Sequence, residues 1–203
     1  ARLVGARDEN VVFTSGGTEA NATALSPAMR LGASEIAIDR LLVGASEHPS
    51  VLAGGRFAED RITRIPVDGE GVVDLDALGA ALAAAATAGE RVLVSVMLAN
   101  NETGTIQPVA RIATLARSFG AISHTDAIQA AGRIPVDIGA LGVDMLTLSA
   151  HKIGGPQGAG ALVFGGDLVR PRPLIAGGGQ EKRGRAGTEN VAAIAAFGAA
   201  AEA

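Results

Sequence analysis

ISHTDAIQAAGRIPVDIGALGVDMLTLSAHKIGGPQG, residues Ile122 to Gly158, is the stretch on which the fold turns. Two apolar runs, Gly120 to Thr125 and Met145 to Leu148, are short and bounded by turn or polar residues, the pattern of buried strands. The first run ends at Asp126, and the second ends at Ser149, Ala150, His151 and Lys152. If both strands lie in one parallel sheet, an acid and a lysine emerge from the same edge, which is where open α/β sheets bind ligands.

Such a pairing suits pyridoxal phosphate. A lysine amine can form a Schiff base with its aldehyde, while a carboxylate keeps the pyridine nitrogen protonated and the ring an electron sink. Taken singly, each residue also fits a plainer role, Asp126 as a helix N-cap and Lys152 as a solvated surface lysine.

Outward from this stretch, more strand ends carry polar clusters. Asn10 to Ser15 is a β-prone run that leads into GGTEANATAL, where Gly16 and Gly17 permit a tight turn and Glu19 to Leu31 continues as a helix. A strand, a glycine turn and a helix N-terminus make an anion site, because free N–H groups and the helix dipole converge there. An ordinary capped helix is the plain alternative. Leu41 to Ala45 delivers Ser46, Glu47, His48 and Pro49, and Arg91 to Leu98 delivers Asn100, Asn101, Glu102 and Thr103. A histidine at such a point can be a core residue, a metal ligand, a general base or a ring that stacks on a flat cofactor. Metal is the weakest of these, because His48, His124 and His151 show no HExxH or similar spacing.

The remaining elements fill out an alternating pattern. Arg61 to Val67 reads as a strand, Asp68 to Gly71 as a turn, and Asp74 to Ala88 as an amphipathic helix with Asp74 as N-cap. Pro108 to Phe119 and Val191 to Glu202 are further helices, Ala159 to Phe164 a further strand, and Gly165 to Glu189 a long irregular stretch of the kind that is functional or disordered. A doubly wound sheet would gather the clusters around Thr18, His48, Asn101, Asp126 and Lys152 into one crevice.

Composition limits the function classes. With 203 residues and 48% hydrophobic content, one sizeable α/β core in a single domain is the expectation. A net charge of -4 and 2% aromatics leave neither a basic footprint nor stacking platforms for nucleic acid. The lack of a long apolar run argues against a membrane span, so a soluble cytoplasmic protein is expected. Cys is absent, which excludes disulfides and thiolate metal sites.

TSGGTEAN, EHPSV, MLANNETG, HTDAIQ, LSAHKIGGPQG and GRAGTEN, in that order, resemble the successive motifs of cysteine desulfurases, the NifS and IscS branch of the class V aminotransferases. The resemblance spans essentially the whole chain. It implies a three-layer α/β/α fold with a mostly parallel central sheet, the large domain of the type I pyridoxal phosphate enzymes, here truncated at both ends. It further implies that Lys152 carries the cofactor and exchanges protons with the substrate α-carbon. Asp126 would pair with the ring nitrogen, Gln129 would bond the ring oxygen, His48 would stack on the ring and assist proton transfer, and Asn101 would lie beside the ring oxygen and substrate carboxylate. Phosphate would be held by Gly17, Thr18, Ser149 and His151, and by Thr188 from the neighbouring subunit of a homodimer.

The implied activity converts L-cysteine to L-alanine, passing sulfur to an enzyme persulfide and on to an acceptor protein. The persulfide cysteine and the arginine that grips the substrate carboxylate are expected beyond the last helix, so this chain by itself would not complete sulfur transfer. A selenocysteine lyase or an aminotransferase of the same class shares the lysine and aspartate and is the alternative enzyme. A non-catalytic module that keeps the fold is the alternative from outside enzymology.

Overall fold

The computed structural model describes residues 1–203. In chain order the strands are β1 (Val11–Thr14), β2 (Ala28–Leu31), β3 (Ser34–Ala37), β4 (Arg40–Gly44), β5 (Ile62–Ile65), β6 (Val92–Ser95), β7 (Ile122–Asp126), β8 (Met145–Ser149), β9 (Gly160–Phe164) and β10 (Val169–Pro171). The α-helices are α1 (Gly17–Ala24), α2 (Pro49–Leu52), α3 (Leu75–Thr87), α4 (Val109–Ser118), α5 (Ile138–Leu141) and α6 (Val191–Glu202).

Seven strands form one sheet in the order β1-β9-β8-β7-β6-β4-β5. Strands β4 to β8 pair in parallel, and β9 alone runs against its neighbours β8 and β1. Since β1 and β8 are both antiparallel to β9, β1 points the same way as the parallel set. The carboxyl ends of β1, β4, β6, β7 and β8 therefore share one edge.

Alternation along the strands separates two buried faces. Leu41, Val43 and Leu93 pack with Ala24 and Leu25 at the end of α1 and with Val51 of α2. Leu42, Val92 and Val94 face the other way, onto Leu78 and Leu82 of α3 and Ile112 and Ala116 of α4. Further along that second face, Leu146, Leu148, Ala161 and Val163 meet Ala193 and Phe197 of α6. Helices thus cover both faces, and the mostly parallel sheet is the middle layer expected from the motif order. The apolar spacing of α3 and α4 is what commits them to this covering role, and Asp74 caps α3 by accepting from the N–H groups of Asp76 and Ala77.

Two expectations are corrected. The helix read through to Leu31 stops at Ala24, because Pro27 cannot continue it and Ser26 turns the chain by bonding Ala28. Residues beyond that turn form β2, which pairs with β3 and β10 in a separate three-stranded sheet. The stretch from Gly165 to Glu189 is accordingly not wholly irregular, since β10 and a short 3₁₀ turn, Gln180–Arg183, lie within it.

Candidate active site

The shared strand edge opens into a cavity of ≈ 310 Å³ whose lining brings together Gly17, Thr18, His48, Asn101, Asp126, Gln129, Ser149, His151 and Lys152. Nine of the ten residues singled out in the sequence meet here. Thr188, the tenth, lies elsewhere, in a ≈ 280 Å³ cavity with Phe13, Thr14, Ser15 and Arg185. Ser50, Met97 and Ile128 also line the strand-edge cavity and were not singled out.

Lys152 owes its position to a rapid change of backbone. Ser149 is extended at the end of β8, residues Ala150–Ile153 make one 3₁₀ turn, and Gly154 closes it with φ 84. That left-handed conformation suits glycine and would strain a residue with a Cβ. None of the chain's ion pairs engages Lys152, so its amine is uncommitted. Beside it, the start of α1 is brought close by a second glycine: a Cβ on Gly160 would fall 2.4 Å from the Gly16 carbonyl carbon. Thr18, Ser149, His151 and the first turn of α1 line the same cavity, with Ser149 Oγ 2.9 Å from His151 Nδ1, an arrangement of donors that could receive an anion.

Asp126 ends β7 with only 3% of its surface exposed. Its Oδ1 accepts from the Ile128 N–H at 2.9 Å and its Oδ2 from Asn21 Nδ2 at 2.7 Å. Burial pushes its carboxyl above the ordinary aspartate range, while these hydrogen bonds and nearby His48 act in the opposite direction. A cation meeting this carboxylate inside the cavity would favour its ionised form.

His48 is the N-cap of α2, its Nδ1 accepting from the Ser50 N–H at 3.1 Å and lying 2.8 Å from Ser50 Oγ. The preceding Glu47 is turned inward and 5% exposed. Its Oε1 accepts from the Met97 N–H at 2.6 Å, whereas its Oε2 is buried with no partner. Burial drives the Glu47 carboxyl well above the ordinary range, Met97 opposes this and the nearby Asp126 adds to it. Glu47 thus ties the His48 loop to the segment after β6. Asn100, buried behind Asn101, strengthens the same tie by donating to the Ser46 carbonyl at 2.7 Å. Asn101 itself lines the cavity and donates to Glu102 Oε1 at 2.6 Å.

Asn21 is the residue that sequence reasoning missed at greatest cost. It is fully buried and donates to both Asp126 and Ser50. Its i, i+4 relation to Gly17 would have placed it on the face of α1 that looks toward the cavity. His124 was weighed among the sequence's histidines and is now resolved as a core residue, 2% exposed and held neutral by burial with a pKa lowered to about 3.

A doubly wound sheet with a lysine, a buried carboxylate and a helix N-terminus at one carboxyl edge defines the architecture of a type I pyridoxal phosphate enzyme. The donor set fits that cofactor: an anion cradle, a free amine and a buried acid line one cavity of suitable size. The family model for aminotransferase class-V matches residues 1–203, and the chain belongs to this family.

Similar proteins include a cysteine desulfurase of Cereibacter sphaeroides, 45% identical over 98% of this chain and 51% of that protein. Cysteine desulfurase IscS of Dictyoglomus turgidum is 43% identical over 100% of the chain and 50% of its own length. Among solved structures, the NifS-like protein from Rickettsia africae superposes with a TM-score of 0.78 at 38% identity, covering 95% of this chain and 50% of that one. SspA in complex with cysteine gives 0.81 at 31%, covering 100% and 57%. The chain spans about half the length of the curated relatives it matches.

Proposed function

We propose that this chain is the cofactor-binding part of a cysteine desulfurase, which converts L-cysteine to L-alanine and transfers the sulfur through an enzyme persulfide to a protein acceptor for iron–sulfur or thio-cofactor synthesis. The observation that carries the reading is the meeting of Lys152, buried Asp126 and the α1 N-terminus around one cavity. The names of the relatives support the choice of reaction.

Pyridoxal phosphate, when bound, supplies an aldehyde carbon for covalent capture of amines and a ring that accepts an electron pair from the substrate α-carbon. The Lys152 amine would hold the cofactor and, once released, would take and return the proton at that α-carbon. Asp126 would hold a proton on the ring nitrogen, and the Ile128 and Asn21 donors keep its carboxyl group oriented for this. Gly17, Thr18, Ser149 and His151 would hold the phosphate, Gln129 would bond the ring oxygen, Asn101 would lie beside the ring oxygen and the substrate carboxylate, and His48 would cover the ring face and assist proton movement. Within this reading the protein is a cytoplasmic homodimer, and Thr188 reaches the phosphate of the neighbouring subunit from its separate position.

The test is direct. Addition of pyridoxal phosphate should give a visible absorption band, and borohydride followed by mass spectrometry should find the cofactor fixed to the peptide carrying Lys152. Absence of the band, or reduction onto Lys182 alone, the one other lysine in the chain, would reject the reading in favour of a module that keeps the fold without the chemistry.

A further inference from the structure

Behind the cavity a continuous chain of hydrogen bonds, buried from Ser95 to Asp126 and half-buried at Ser50 and His48, runs across the strands. Ser95 Oγ is 2.8 Å from His124 Nδ1, and His124 Nε2 is 3.3 Å from Thr147 Oγ1. Thr147 Oγ1 lies 2.6 Å from Asn21 Oδ1, and Asn21 Nδ2 reaches both Asp126 Oδ2 and Ser50 Oγ, at 2.7 and 2.9 Å. Ser50 Oγ ends the chain, 2.8 Å from His48 Nδ1.

The direction of every bond follows from two groups, the Asp126 carboxylate at the Asn21 end and the Ser50 backbone N–H, which can only donate, at the His48 end. An Asp126 carboxylate only accepts, so the amide NH₂ of Asn21 must face it and Asn21 Oδ1 must face Thr147. Oδ1 only accepts, so the Thr147 hydroxyl hydrogen is used there, leaving its oxygen to accept from His124 Nε2–H. His124 is neutral and carries a single ring proton, so its Nδ1 accepts from the Ser95 hydroxyl. On the cavity side, the second N–H of Asn21 goes to Ser50 Oγ, whose own hydrogen goes to His48 Nδ1. That nitrogen also accepts the Ser50 N–H. No donor is left facing a donor, and the satisfied network specifies one arrangement.

We propose that Asn21 and Ser50 are positioning residues that link the Asp126 carboxylate to the His48 ring: Asp126 sets the Asn21 amide, Asn21 turns the Ser50 hydroxyl toward His48, and that hydroxyl joins the Ser50 N–H in holding Nδ1 as an acceptor, leaving the ring proton on Nε2. Nε2 is then the nitrogen offered to whatever occupies the cavity, and the ring cannot turn over without breaking its bonds to Ser50. The use made of His48 rests on the cofactor reading above; its tautomer does not.

The chain has only three histidines, His48, His124 and His151, so ¹⁵N labelling of histidine rings resolves them by NMR. In the wild-type chain at neutral pH, both His48 and His124 should carry the proton on Nε2. Ser50→Ala should move the His48 Nδ1 signal downfield, as a pyridine-type nitrogen does on losing an O–H donor, and leave His124 in place. Ser50→Thr should restore the wild-type position, while Thr147→Val should move the His124 Nε2 signal. A wild-type His124 with its proton on Nδ1 would reverse the chain and overturn the proposal, as would a His48 Nδ1 signal indifferent to Ser50→Ala. The wild-type tautomers decide the matter even if a variant fails to fold. These signals are read without cofactor, so a failure here is separate from a failure of pyridoxal phosphate to mark Lys152.

Discussion

The carboxyl edge of the large sheet and the small β10-β2-β3 sheet are built on opposite terms. Every residue of β6, β7 and β8 is buried, including Ser95, Ser123, His124, Thr125, Asp126, Thr147 and Ser149, whereas β2 buries one residue of four and β3 none. In the first region each polar group must find a partner, because an unpaired one costs about 1–3 kcal/mol. The result is a network that fixes side chains where charge will be handled. In the second region solvent satisfies most side chains, and the backbone ladder alone sets the geometry. Chemistry therefore belongs at the buried edge, where orientation is paid for by the fold.

The largest way to break this contrast is Lys152→Ala. Covalent capture of pyridoxal phosphate should disappear altogether, and in an enzyme containing the whole site turnover should fall by at least ~10²–10⁴-fold, the scale of a lost proton-transfer group. Borohydride trapping and a steady-state assay measure the two losses separately. Next comes Asp126→Ala, which should leave capture by Lys152 intact but lower turnover by roughly 10²–10³-fold, since in the proposed role the ring nitrogen would lose the buried anion that holds its proton. Equal turnover in the variant would reject that role.

A matched pair of truncations tests the packing side of the comparison. Leu41 on β4 is fully buried between helices, and Leu41→Ala should cost about 2–5 kcal/mol in denaturant unfolding. Leu31 on β2 is 45% exposed, and Leu31→Ala should stay within roughly 1 kcal/mol. If the two costs were equal, the small sheet would be as integral to the core as the large one.

The same contrast decides what was legible in the sequence. The strands around Leu42, Val94, Thr125 and Leu146 were readable because a parallel strand covered on both faces must be apolar or internally satisfied along its length. Their polar ends were readable because the chain has to leave the sheet there, so Asn101, Asp126 and Lys152 stood out. β2 and β3 were not, since AMRL and SEIA have neither a continuous apolar run nor a clean alternation, and β2's partnership with β10 spans more than a hundred residues of chain. Asn21 and Ser50 were missed for another reason. Asn and Ser on a helix are ordinary surface residues until the tertiary structure presents Asp126 and His48 to them.

The effect that depends on pH is the sharpest probe of the buried edge. Glu47 holds a proton in the folded state at pH values where the unfolded chain has released it, because burial raises its pKa well above 4.5. Between those two values the native state binds more protons than the unfolded state, so its contribution to stability is fully present below about pH 4.5 and is lost as pH rises toward the raised pKa. Gln at this position keeps an acceptor for the Met97 N–H and has nothing to ionise. Glu47→Gln should therefore match the wild type at low pH and become progressively the more stable protein as pH increases, by denaturant titration at a series of pH values. His124 and Asp126 titrate in both proteins and largely cancel in the difference. Glu35→Gln on the exposed β3 is the control, with a change of no more than ~0.5 kcal/mol. A stability difference at Glu47 that stays flat with pH would mean that the carboxyl ionises alike in both states, and that this corner of the site is wetter than its burial implies.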